Sequence, residues 1–101
     1  MQDFFPVFFT ANTAELSPDA QGIVRQAAAN AKMLKASKIE VAVPPDAAGR
    51  TLREGRFTAI QNVLSAAGVN PNLLARSMLS ADAARLPGAA DRAEIKLIHG
   101  M

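Results

Sequence analysis

Few residues of this chain have the type and spacing to do chemistry, and they cluster near its middle. Asp46 follows Val43-Pro44-Pro45, and Arg56 closes the run Thr51-Leu52-Arg53-Glu54-Gly55-Arg56. An acid placed after a strand and a base placed inside the next helix face the same rim of a fold, where they offer opposite charges to a ligand. Nothing beside them suggests bond-making. The single His99 has no partner in the sequence that would orient it as a proton relay, and it stands next to Gly100 as a solvated terminal residue. A metal site needs three or four ligands, and no such set can be named. Cysteine is absent, which removes thiolate sites, disulfides and a thiol nucleophile. Gly49 and Gly55 do not have the spacing of a phosphate-cradling loop. The chemistry on offer is binding, and no catalytic role or cofactor is expected.

Two elements must position the pair. Ile39, Val41 and Val43 alternate with Glu40 and Ala42, the pattern of a strand with one buried face. Pro44 and Pro45 end it, since neither can donate to a ladder. Thr51 and Glu54 have the spacing of a capping box, which predicts a helix from Thr51 to Ala67. Its expected core stripe is Leu52, Ala59, Ile60, Val63 and Ala67, and Gly68 stops it. Arg56 borders that stripe, so its stem can pack while its head needs water or an acceptor.

The rest of the chain follows the same logic. Val7, Phe8 and Phe9 predict a first strand with Pro6 near its start. Phe4, Phe5, Phe8 and Phe9 share that strand, so neighbours point to opposite faces: most belong to the core, and one side is left for a partner. Thr10 to Thr13 reads as a loop in which Asn12 tolerates left-handed geometry. Ser17-Pro18-Asp19 starts a helix running to about Ala36, with Ala20, Ile23, Val24, Ala27, Ala31 and Leu34 on its apolar side and Arg25, Gln26, Asn30 and Lys32 mostly elsewhere. A third strand is expected over Leu73 to Ser80, a helical turn over Asp82 to Leu86, a turn at Pro87-Gly88, and a last strand carrying Ala93, Ile95 and Leu97. Strands alternating with helices predict one sheet with both helices on one face.

Composition bounds the function classes. With 101 residues, half of them hydrophobic, the chain is one domain, 1–101, with a single core. Its 11 bases against 9 acids give a net charge of +2, too even for a phosphate-tracking surface, so no nucleic-acid partner is expected. No apolar run approaches the roughly 18 residues of a membrane span, so membrane attachment would come through another part of a parent protein.

The order of landmarks resembles the OmpA-like, peptidoglycan-binding domain. Phe8-Phe9-Thr10-Ala11-Asn12-Thr13-Ala14-Glu15-Leu16-Ser17-Pro18 is similar to its opening, and Ile39-Glu40-Val41, Asp46 to Gly49, Leu52 to Arg56, Gly68-Val69-Asn70-Pro71 and Asp91-Arg92-Ala93-Glu94-Ile95 resemble its later landmarks. The resemblance implies an α+β fold, a β-α-β-α-β-β two-layer sandwich whose mixed sheet carries the helices on one face. It implies a non-enzymatic domain anchoring a periplasmic or outer-membrane-associated protein to the cell wall. The ligand would be the diaminopimelate of a peptidoglycan stem peptide, with Asp46 taking its ammonium, Arg56 its carboxylate, and Asn12 and Thr10 lining the pocket. Taken without the family, Asp46 is a turn residue and Arg56 a solvated helix base. This chain also departs from the pattern: Val43-Pro44-Pro45 replaces Gly-His-Thr, the loop between acid and base is shorter, and a double Arg is reduced to Arg92, read as a local partner of Asp91. A second expectation therefore stands beside the first, a domain that keeps the fold, has lost the pocket, and binds another envelope protein.

Overall fold

The computed structural model describes residues 2–43, 50–77 and 91–100. Strand β1 (Phe4–Phe8) leads to helix α1 (Pro18–Leu34), strand β2 (Lys38–Ala42), helix α2 (Arg50–Ala66), a short 3-10 turn (Pro71–Leu73), strand β3 (Leu74–Ser77) and strand β4 (Arg92–Ile98). The sheet order is β1-β4-β2-β3. β4, last in the sequence, lies antiparallel between β1 and β2, with Phe5 opposite Ile95 and Val41 opposite Ile95 on its other side. β3 runs parallel to β2, and α2 lies in the crossover that a parallel pair needs. This is the expected α+β sandwich with a mixed sheet.

Period-2 alternation sends Phe5, Val7, Ile39, Val41, Ala93, Ile95 and Leu97 under the helices, all buried. Each large apolar side chain buried this way is worth about 1.5–3 kcal/mol. The opposite face carries Phe4 and Phe8, both exposed, and the pairs Lys38–Glu40 and Arg92–Glu94. The aromatic rings thus divide two and two between the faces, as alternation requires, so that only Phe5 and Phe9 and not most of the four belong to the core.

β1 is an edge, and it is blunted. Leu97 N donates to Asp3 O and Phe9 N to Asp91 O, so the odd-numbered residues pair with β4 and the even ones face outward. Among those outward residues Pro6 has no N–H, and the Gln2 amide donates to Phe4 O at 2.7 Å. An incoming strand finds one donor missing and one acceptor taken.

α1 starts as expected: Ser17 Oγ accepts from Ala20 N at 3.1 Å, Pro18 occupies the first turn, and Lys35 ends the helix in the left-handed region. Two corrections apply to its sides. Ile23 is exposed, and Asn30 is buried, donating to Gln2 O at 2.9 Å and accepting from Gln26 at 2.8 Å. A buried amide is tolerable because both its ends are satisfied.

α2 needs two corrections. Its buried line is Arg56, Phe57, Ile60 and Leu64, with Ala59, Val63 and Ala67 at the margin, so the core face is rotated relative to the expected stripe. Phe57 and Leu64 are larger than the alanines they displace and gain more by burial. The capping box does not form either. Thr51 already lies inside the helix, and Glu54 accepts two hydrogen bonds from Arg76. Gly68 ends the helix at φ 94° as expected, and Lys32 Nζ donates to the nearby Ala67 carbonyl. Pro44, Pro45, Asp46, the segment Asp82 to Leu86 and Pro87-Gly88 lie outside the described residues, as does the end of the expected third strand beyond Ser77.

Candidate functional site

Arg56 reaches its place because α2 comes unusually near the loop after β1. A Cβ on Gly55 would stand 3.1 Å from the Ala14 Cβ, so glycine is what allows this approach. Opposite it the loop folds into a turn. Thr13 N donates to Thr10 O at 3.1 Å, the Thr13 hydroxyl donates to the same oxygen, and Asn12 at φ 61° takes the left-handed position that such a turn requires.

The turn presents carbonyl oxygens to the arginine. Arg56 Nε donates to Thr13 O at 2.8 Å, and Nη2 donates to Thr10 O at 3.3 Å and to Asp91 Oδ1 at 3.0 Å. Its guanidinium carbon lies 4.9 Å from the centre of the buried Phe9 ring. The Arg56 side chain is 1% exposed, while Asp91 is 34% exposed.

Burying a charge is costly unless it is paired and hydrogen-bonded. Among the described residues the planar, permanently charged fork meets one carboxylate, two carbonyls and an aromatic face. Arg56 is therefore more than a border residue with a packed stem: its head is inside the protein as well. Asp91 in turn is fixed through its backbone, since its carbonyl accepts from Phe9 N at 2.8 Å at the entry to β4. The site ties together β1, the turn, α2 and β4.

Of the four residues the sequence singled out, the structure brings Thr10, Asn12 and Arg56 together. Thr10 takes part through its carbonyl, and Asn12 through the backbone geometry of the turn. Asp46 lies outside the described residues. Sequence reasoning missed Asp91 and Phe9. Arg92 pairs with Glu94 at 2.9 Å and not with Asp91, which correction follows from strand alternation: residues two apart share a face and adjacent ones do not. That signal was present in Asp91-Arg92-Ala93-Glu94 and frees Asp91 to face α2. His99 is also not simply solvated, since its Nε2 lies 3.0 Å from Asp3 Oδ2. Among the described residues no three acidic or imidazole side chains gather as a metal site, and no helix is long and apolar enough to cross a membrane.

No protein-family model matches the sequence, and no curated protein matches it. Solved structures do match its fold. The OmpA-like domain of FopA1 from Francisella tularensis superposes with a TM-score of 0.73 at 13% identity, covering 97% of this chain and 75% of that one. The C-terminal domain of Helicobacter pylori MotB gives 0.72 at 21% identity, over 100% of this chain and 88% of that one. The peptidoglycan-associated lipoprotein of Burkholderia pseudomallei gives 0.67 at 19%, over 95% and 90%. With two helices on one face of the β1-β4-β2-β3 sheet, the chain has the fold of OmpA-like domains.

Proposed function

We propose that this chain is a non-catalytic binding domain that anchors an envelope protein to peptidoglycan in the periplasm, through a diaminopimelate-bearing stem peptide. One observation carries the reading. Arg56, at the position of the arginine that takes the ligand's carboxylate in OmpA-like domains, is locked at the junction of β1, α2 and β4, beside the turn holding Thr10 and Asn12. Asp46 belongs to this reading as the acid that would take the ligand's ammonium. The similarity to a peptidoglycan-associated lipoprotein supports the same class of ligand.

The burial of Arg56 favours a second reading, a domain that keeps the fold and binds another envelope protein. The blunted edge of β1 limits how that partner would dock, since strand addition there meets Pro6 and the covered Phe4 carbonyl.

Titration with a diaminopimelate-containing muropeptide separates the two. Saturable binding that is lost in Asp46→Ala and weakened in Arg56→Lys is expected under the first reading. Lysine keeps the charge but cannot reproduce the fork. An absence of binding by the unaltered protein favours the second.

A further inference from the structure

The open face of the sheet carries two aromatic rings that the core does not use. Phe4 and Phe8 are 39% and 50% exposed, while Phe5 and Phe9 are buried on the helix side. Both exposed rings lie on β1 with Pro6 between them, and four residues of strand set them about 13 Å apart on one face. The Arg92 guanidinium stands 5.6 Å from the centre of the Phe8 ring and props it from β4. Water opposes exposed rings of this size, so a pair of them on one face marks a contact surface. Its polar fringe narrows the partner. Lys38 meets Glu40 at 3.8 Å and Arg92 meets Glu94 at 2.9 Å, so those charges cancel in pairs. Lys96, opposite Phe4, is the exposed cation on this face left without an ion pair among the described residues. An anionic lipid surface or a nucleic acid asks for a cluster of unpaired cations, which this face lacks. Donors and acceptors side by side, next to flat apolar rings, suit a neutral ligand that is rich in hydroxyls and has apolar faces. A sugar chain is such a ligand: the C–H bonds on the flat side of a pyranose meet the electron-rich face of an aromatic ring, and the hydroxyls at its rim reach the fringe.

We infer that Phe4 and Phe8 form a platform on which the glycan strand of the wall stacks. The platform rests on the proposed peptidoglycan reading and extends it from the stem peptide to the sugars that bear it, on a face of the sheet that the Arg56 site does not use. Phe8 pairs with Arg92, and Phe9 N donates to Asp91 O at 2.8 Å, so the platform begins one residue from the groups that hold Arg56. A stem peptide is covalently joined to its sugar, and three residues of it span at most about 10 Å. A strand that places its peptide at Arg56 therefore keeps its sugars near this end of the sheet, with Phe8 as the near ring. Phe4, farther along β1, takes a later sugar of the same strand.

The test uses the full chain and two probes, peptidoglycan oligosaccharides freed of their stem peptides, and a diaminopimelate-containing tripeptide without sugar. The unaltered protein is expected to bind both. Phe8→Ala and Phe4→Ala are each expected to weaken oligosaccharide binding by about threefold to tenfold, the scale of one aromatic contact, and to leave the tripeptide affinity unchanged. Phe8→Tyr, which keeps the ring, is expected to retain the oligosaccharide. Both rings lie outside the core, so melting temperatures should move little. Oligosaccharide binding that is absent, or indifferent to both alanine variants, overturns the platform. A change of oligomeric state in those variants with sugar affinity unaltered overturns it as well and assigns the patch to a second copy of the chain. Tripeptide binding without oligosaccharide binding leaves the stem-peptide reading standing while the platform falls. Oligosaccharide binding without tripeptide binding supports the platform and overturns the stem-peptide site, and the absence of both overturns both.

Discussion

Two arginines, Arg56 on α2 and Arg76 on β3, each meet a carboxylate and an aromatic ring, in opposite surroundings. Arg56 meets Asp91 at 3.0 Å and the ring of Phe9, and Arg76 meets Glu54 at 2.7 and 2.8 Å and packs 4.0 Å from the centre of Phe57. By geometry the second is the better ion pair, since it is bidentate and shorter. Yet Arg76 and Glu54 are 55% and 47% exposed, against 1% for Arg56. In water the charges of Arg76 and Glu54 are screened and their desolvation is incomplete, so ideal geometry yields little. Inside, every acceptor given to Arg56 offsets a large desolvation cost, and removing any one exposes that cost. The contact lists alone would rank the two wrongly.

The largest expected effect is therefore at Arg56. Arg56→Ala removes the Arg56 donor from the Thr13 carbonyl and one of the donors to the Thr10 carbonyl, leaves Asp91 without its Arg56 partner, and opens a void beside Phe9. A loss of about 3–5 kcal/mol in unfolding free energy is expected in a urea titration. A loss below about 1 kcal/mol would mean that the guanidinium is more hydrated than its burial implies. Next comes the double-mutant cycle of Arg56→Met with Asp91→Asn, for which a coupling of about 1.5–3 kcal/mol is expected. Part of the Asp91 side remains in water, so the coupling stays below the cost of losing Arg56 altogether.

Gly55→Val tests the same region through the backbone. Its branched side chain would begin 3.1 Å from the Ala14 methyl, pushing α2 away from the turn that feeds Arg56. Glycine is a poor helix residue, so the exchange gains a few tenths of a kcal/mol in propensity. Overpacking costs about 1–3 kcal/mol and is expected to win, lowering the thermal midpoint. A raised midpoint would show that the Ala14 loop yields freely and that Arg56 does not depend on the close approach.

The same contrast explains what could be read before any coordinates. Strand alternation around Ile39 and Ile95, the Ser17-Pro18 helix start and the Gly68 stop are local rules, settled within a few residues, and the structure keeps them. The likeness of ordered landmarks to OmpA-like domains was legible for the same reason. Partner choice was not. Thr51 and Glu54 met a local rule for capping, but Glu54 has a better partner in Arg76, which β3 delivers from across the fold. Arg56 looked like a margin residue because nothing near it in sequence supplies acceptors, which come from Thr10, Thr13 and Asp91. The rotated face of α2 has a similar origin, since the sheet selects Phe57 and Leu64 by volume and a helical stripe of alanines does not report that.

The smallest effect closes the comparison. The cycle of Arg76→Ala with Glu54→Ala is expected to give a coupling of about 0.2–1 kcal/mol, because both side chains must be ordered to meet and both keep much of their water. Arg76 alone should cost slightly more than this coupling, since its guanidinium also packs on the Phe57 ring. Salt separates the two pairs most sharply. At 1 M salt the screening length falls to about 3 Å, so the Arg76–Glu54 coupling should vanish while the Arg56–Asp91 coupling keeps most of its size. Equal attenuation of both in a salt series would show that solvent reaches Arg56 as readily as Arg76, and the difference in burial would no longer account for their ranking.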